Sequence, residues 1–208
     1  MCKPISISLS PKTEKDDIKL ALKLIFLFWR WKNEKETADL EDEFKKYLGV
    51  KYAFAFNSGR SALMAILDSL GLNRGDEVLL QAFTCNAVPN PVMWDGFKPI
   101  AVYCEEAALI RKPIYVDCDE KTFNIDTDDL KRKMTPKSRA VIVQHTFGLA
   151  ADMDEILEIC RQNNLILIED CAHALGATYK GKPVGTFGNI AFFSFVRAIS
   201  PIPSAMLF

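Results

Sequence analysis

Net charge is nearly absent from this sequence: 26 Lys+Arg face 27 Asp+Glu across 208 residues. Without a basic field, binding to nucleic acid or to an acidic membrane surface has no electrostatic footing. No C-x-x-C pair occurs among Cys2, Cys85, Cys104, Cys118, Cys160 and Cys171, and several of these lie in apolar, strand-like runs. Buried, reduced thiols and a cytoplasmic location follow as the expectation. Neither G-x-G-x-x-G nor G-x-x-x-x-G-K-[ST] is present, so dinucleotide and nucleoside-triphosphate loops lack support. Long hydrophobic runs are missing too. The greasiest stretch, Ala21 to Trp31, is broken by Lys23 and Arg30 and is shorter than the roughly 20 apolar residues a bilayer demands. It reads as an amphipathic helix packed on another surface, with no membrane span. Met1-Cys2-Lys3-Pro4 lacks the apolar core of a signal peptide. There is no internal repeat and no low-complexity linker. What remains is an ordinary globular composition, 49% hydrophobic and 25% charged, which suits a catalytic or small-molecule role.

The order of elements gives the fold class. Residues 1–15 read as an extended arm, and Asp16 to Leu48 as helix in two pieces broken near Asn33. Thr37 is the candidate cap of the second piece, and Gly49 its end. Strands are then expected at Tyr52–Phe56, Glu77–Leu80, Pro99–Tyr103, Ile114–Val116, Ala140–Gln144 and Leu165–Ile168. Helices are expected after the N-S-G-R-S turn to Leu70, after F-T-C-N to Gly96, and over Asp126–Lys133 and Asp152–Asn163. Short, continuously apolar strands alternating with helices predict an α/β fold with parallel strands buried on both faces. Ligands of such sheets bind beyond the carboxyl ends of the strands, which directs attention to the residues after Phe56, Leu80, Gln144 and Ile168.

After Phe56, Asn57-Ser58-Gly59-Arg60-Ser61 opens a helix. Its first N–H groups and the positive end of its dipole suit a phosphate, although Ser-Gly is equally a good helix cap. After Ile168 come Glu169-Asp170-Cys171-Ala172-His173. A carboxylate ending a buried strand is costly unless it meets a cation, and a protonated pyridine nitrogen is such a partner. Asp170 is also readable as a helix N-cap, or with His173 as half of a metal site; only His145 is available as a further imidazole. The aromatic segment Ile190 to Phe195 ends near Ser194, whose hydroxyl is a second candidate phosphate ligand.

N-S-G-R-S-A-L, I-E-D-C-A-H-A-L-G-A and F-G-N-I-A-F-F-S-F together resemble the DegT/DnrJ/StrS family of pyridoxal-phosphate (PLP) dependent sugar aminotransferases, over residues from about 40 to 197. The resemblance implies the three-layer large domain of fold-type-I PLP enzymes, with a mainly parallel sheet, truncated before the small C-terminal domain. Residues 1–48 then form an N-terminal arm and helices, and 49–208 an incomplete PLP-binding domain. It implies a homodimer that moves an amino group from an amino-acid donor to a keto sugar nucleotide, in polysaccharide or antibiotic-sugar biosynthesis. Carried over, Gly59, Arg60, Ser61 and Ser194 meet the phosphate, Asp170 the pyridine nitrogen, and His173 the phenolic oxygen.

Two departures stand out. The family's ring-stacking aromatic follows a Thr, and here Thr84 is followed by Cys85; either Phe83 substitutes or the stacking is weaker. The Schiff-base lysine belongs five residues after the serine, at Ile199, and no lysine follows Lys182. Lys180 and Lys182 read as solvated turn residues. The expectation is therefore a truncated or frame-disrupted copy with impaired catalysis, for which the DNA downstream of Arg197 holds a lysine and a small domain. A non-catalytic PLP-fold binding or regulatory protein is the alternative, and an unrelated α/β enzyme a third.

Overall fold

The computed structural model describes residues 15–27, 35–93, 111–195 and 205–207. The expected arm, the break near Asn33, the strand at 99–103 and the positions around Ile199 lie outside these. Two helices come first, α1 (Lys15–Phe26) and α2 (Lys35–Leu48). Thr37 lies inside the first turn of α2 and is not its cap. The helix already runs from Lys35, and the Glu41 carboxylate accepts from the Ala55 N–H at 2.8 Å, binding the helix to the next strand. Gly49 ends α2 with φ 70°, and the Val50 N–H returns to the Lys45 carbonyl at 3.1 Å.

The remaining elements alternate as the sequence predicts. They run β1 (Phe54–Phe56), α3 (Gly59–Ser69), β2 (Asp76–Gln81), a short α4 (Pro89–Met93), β3 (Arg111–Val116), α5 (Thr127–Lys133) and β4 (Ser138–Gln144). After these come a 3₁₀ turn (Thr146–Gly148), α6 (Met153–Asn163), β5 (Ile166–Asp170), the hairpin of β6 (Thr178–Tyr179) and β7 (Lys182–Pro183), β8 (Ile190–Ser194) and β9 (Ala205–Leu207). The main sheet has the order β1-β9-β8-β5-β4-β2-β3. β3, β2, β4, β5 and β8 pair in parallel, and β9 runs antiparallel to both β8 and β1. β5 continues two residues beyond the expected Ile168, because Glu169 and Asp170 stay in register with Val143 and Gln144.

The sheet is covered on both faces. On one, Leu63, Ile66 and Leu67 of α3 and Val92 of α4 pack on Val78, Leu80, Ile142, Ile168 and Phe192. On the other, Leu130 of α5 and Ile156 and Ile159 of α6 cover Leu79, Val141 and Leu167, while Phe44 and Leu48 of α2 cover Ala191 and Phe193. Strands buried on both sides have no polar face, which is why they read as continuous apolar runs.

Helix α1 departs from expectation. Its Ile18, Leu20, Leu22, Ile25 and Phe26 are exposed, so among the described residues no surface of this chain covers its apolar side. Among the described residues Cys85, Cys118, Cys160 and Cys171 are free thiols, but only Cys160 and Cys171 are buried; Cys118 is half-buried and Cys85 exposed. Burial pushes the Cys160 thiol up to about 11. Among the described residues no helix is long and apolar enough to cross a membrane.

Candidate functional site

The carboxyl ends of the parallel strands carry most of the candidate residues. The chain leaves β1 in extended geometry at Ser58 (φ −163°, ψ 154°), whose hydroxyl accepts the Ser61 N–H at 3.2 Å and lies 2.9 Å from the Ser61 hydroxyl. This N-cap starts α3. The N–H groups of Gly59 and Arg60 precede the helix's own carbonyls and have no acceptor within it, and no acid stands in the first turn. The Arg60 side chain is exposed. A methyl placed on Gly59 would sit 3.1 Å from Cβ and Oγ of Ser194, so any side chain there crowds the approach of α3 to the end of β8. Gly59 thus meets Ser194, while Ser61 closes on Ser58 within the same turn.

Asp170 ends β5 on the α3 face of the sheet and is buried. Its Oδ1 accepts from the Ala172 N–H at 3.0 Å. No helix follows, so the bond is a local turn and the N-cap reading fails. Burial pushes the Asp170 carboxyl up to about 6, against the opposing pull of that N–H, His173 and His145. In ladder register Asp170 lies opposite Gln144 on β4 and opposite Phe192 on β8, two residues before Ser194. Gln144 accepts from the Thr84 hydroxyl at 2.8 Å, which ties the turn carrying exposed Cys85 to the Asp170 neighbourhood. His173 is exposed and stacks parallel to Phe147, with centroids 6.0 Å apart and planes 5° apart.

Glu169, one residue before Asp170, faces the other side of the sheet. It is fully buried and accepts from the N–H groups of Gly185 (2.8 Å), Phe187 (2.7 Å) and Gly188 (2.6 Å). His145 Nδ1 accepts from the Ala151 N–H at 3.1 Å, leaving Nε2 to donate to Glu169 at 3.1 Å. Burial pushes the Glu169 carboxyl up, but His145 and the backbone donors outweigh it and hold the group below its ordinary value. Glu169, His145 and Cys171 place their ligand-type atoms within 4.8 Å of one another. The proton on His145 Nε2 and the four donors on Glu169 already occupy the lone pairs a metal needs, so this is a satisfied hydrogen-bond network. Metal chemistry through Asp170 and His173 gains no third ligand from it.

Lys180 and Lys182 are exposed on the β6–β7 hairpin. Lys180 pairs with Asp154; Lys182 donates to the Thr186 carbonyl at 2.8 Å and lies over the Phe187 ring. Neither stands in for a Schiff-base lysine.

Gln144 and Gln81 had no signal in the sequence, since a polar residue closing an apolar strand gives no hint of its partner. Glu169 had one: a charge inside L-I-L-I-E-D has to be buried with donors.

This arrangement of sheet, phosphate-type turn and buried carboxylate has close counterparts. The model of the DegT/DnrJ/EryC1/StrS aminotransferase family matches residues 12–199. The chain belongs to that PLP-dependent family. It is 40% identical over 157 residues to GDP-perosamine synthase of Caulobacter vibrioides, which spans 76% of this chain and 38% of the relative. It is 32% identical over 185 residues to the spore coat polysaccharide biosynthesis protein SpsC of Bacillus subtilis, 89% of this chain and 44% of the relative. Among solved structures, an aminotransferase from Psychrobacter cryohalolentis superposes with a TM-score of 0.79 at 29% identity, over 96% of this chain and 48% of its own. NtdA of Bacillus subtilis, solved with bound PMP, superposes with a TM-score of 0.76 at 28% identity, over 96% and 42%. The chain therefore spans less than half the length of these relatives, and the reading as an unrelated α/β enzyme falls.

Proposed function

We propose that this chain is the cofactor-holding part of an aminotransferase acting on keto sugar nucleotides. The observation that carries the proposal is the junction of Gly59 with Ser194 on the sheet face where Asp170 is buried with too few donors. PLP fits this junction. Its phosphate suits the N–H groups of Gly59 and Arg60 and the hydroxyls of Ser61 and Ser194. Its pyridinium suits Asp170, whose carboxylate is costly to ionise without a cation beside it. His173 is the candidate neighbour of the phenolic oxygen. Cys85, which cannot stack as an aromatic does, is the ring-facing candidate.

Bound there, PLP supplies an electron sink for moving an amino group. The protein's share is to hold the phosphate on the α3 end, to keep the ring nitrogen protonated through Asp170, and to exclude water from that pair. Residues 1–48 serve as arm and helices and 49–208 as the cofactor domain. A homodimer is part of the proposal, and the exposed apolar side of α1 is a surface for it to cover. So is a cytoplasmic location, consistent with the free thiols.

Ile199, at the position where the family places its Schiff-base lysine, favours a second reading of this chain: it holds the cofactor without covalent attachment and does not turn over. Titration of the purified chain with PLP tests both. Saturable binding that Asp170→Asn and Gly59→Val abolish supports the site. Borohydride treatment that leaves the bound cofactor extractable supports non-covalent retention, and stoichiometric trapping on one lysine refutes it. Failure to bind PLP at micromolar concentration removes the proposal.

A further inference from the structure

Three phenylalanines stand exposed at the same end of the sheet: Phe83 (46%), Phe123 (44%) and Phe147 (62%). Phe83 and Phe123 have centroids 5.3 Å apart, Phe83 and Phe147 6.1 Å, and Phe147 lies parallel to His173. His173 follows β5, Phe147 follows β4, Phe83 follows β2 and Phe123 follows β3. The rings therefore track the strand order away from β8 and Ser194.

Two of these residues hold a backbone conformation that bulky L-residues avoid: Phe123 at φ 56° and Phe147 at φ 52°, ψ 27°. A buried amide maintains it. Gln81 Nε2 donates to the Phe83 carbonyl (2.9 Å), the Phe123 carbonyl (3.2 Å) and the Thr146 hydroxyl (3.0 Å). The Thr146 hydroxyl donates to the Phe123 carbonyl (3.0 Å), and the Thr146 N–H to Asn124 Oδ1 (2.8 Å). One side chain thus fixes the three segments that carry the three rings, while its own Oε1 is buried with no partner among the described residues. Strain and an unpaired buried oxygen are tolerated here in order to expose apolar rings, the reverse of what core packing demands.

We infer that Phe83, Phe123 and Phe147 form a preformed aromatic platform, its rings inclined at 41° and 65° to one another, against which an uncharged ring of the substrate packs. The ring is a nucleobase or the C–H face of a pyranose, laid along the strand ends from His173 toward β3. Gln81 is its positioning residue. The inference rests on the aminotransferase reading and specifies where that substrate's ring lies. Phe83, Phe123 and Phe147 carry no charge, so their contact with a ligand is through ring faces and not through ion pairing.

Calorimetric titration of the PLP-treated chain with GDP and UDP, and separately with glucose 1-phosphate, tests it. At least one probe class binds, and Phe147→Gly weakens it roughly tenfold, the scale of one lost stacking contact. Glycine accepts φ 52° without strain, so the same variant keeps or raises the melting temperature and leaves PLP affinity unchanged; a packing role would lower the melting temperature and spare ligand affinity. Phe83→Ala gives an independent loss should the first variant fail to fold. Loss confined to the nucleotides assigns a base to the platform, and loss confined to the hexose phosphate a pyranose. Binding of neither probe while PLP binds, or binding indifferent to both variants, overturns the platform alone. Platform-dependent nucleotide binding without PLP binding overturns the cofactor reading alone.

Discussion

Glu169 and Asp170 are neighbours in sequence, both carboxylic acids, both buried in the same strand, and physically opposite. Glu169 faces the α6 side and has three backbone donors and an imidazole; it lies below its ordinary pKa. Asp170 faces the α3 side with a donor from Ala172 and is pushed up to about 6. One carboxylate is satisfied within the fold, and the other is buried against the Ala172 N–H and holds its proton longer. Strand alternation alone sends the two to different faces, so a single dipeptide divides structural from functional burial.

The largest effect expected from breaking this contrast is at Glu169. Glu169→Ala strips the acceptor from the N–H groups of Gly185, Phe187 and Gly188 and from His145, and unpairing buried groups of this kind costs about 3–5 kcal/mol. A urea unfolding midpoint unchanged from the parent would show that the network contributes nothing. Asp170→Asn goes the other way. Folded Asp170 keeps its proton to about pH 6, whereas the unfolded side chain releases it near 3.8, so this group's contribution to stability falls as pH rises through that window. Relative to the parent, the Asn variant gains up to about 3 kcal/mol by pH 7 and nothing below pH 4. The same variant loses PLP binding, and a pH-independent difference between the two proteins would exclude a raised carboxyl. Gly59→Ala comes third: its methyl meets Ser194 at 3.1 Å, a crowding worth about 1–2 kcal/mol in thermal unfolding, with a larger loss in PLP affinity. Lys180→Ala is the smallest, leaving both melting temperature and PLP affinity unaltered, because the Lys180–Asp154 pair is solvent-exposed.

Most of the sheet was legible, since strands buried on both faces announce themselves as unbroken apolar runs between helix-forming segments. The start of α3 was legible for a local reason, with Ser58 and Ser61 three residues apart. What failed to show was whatever depended on distant backbone. Thr37 looked like a cap although α2 runs from Lys35, and nothing near Glu41 reveals that it bonds Ala55 fourteen residues on. The Glu169 donors lie 16 to 19 residues away in a turn without a distinctive pattern. The phenylalanine row joins three loops through Gln81, whose partners include Phe123 and Thr146, 42 and 65 residues along the chain. The expected packing of α1 failed differently: its pattern of side chains is amphipathic, but no surface of the described residues receives it.

Among the described residues strand β1 reaches the sheet only through β9, about 150 residues later in the chain. A ribosome adding ~5–20 residues per second needs roughly 7–30 s to make that stretch. Throughout that interval β1, and the turn it delivers to α3, has no strand to dock on. Under the proposed cofactor reading, the phosphate site is completed late and all at once, when β9 closes the gap between β1 and β8. Retention of the cofactor during refolding would time the completion of the sheet, not the formation of its central strands.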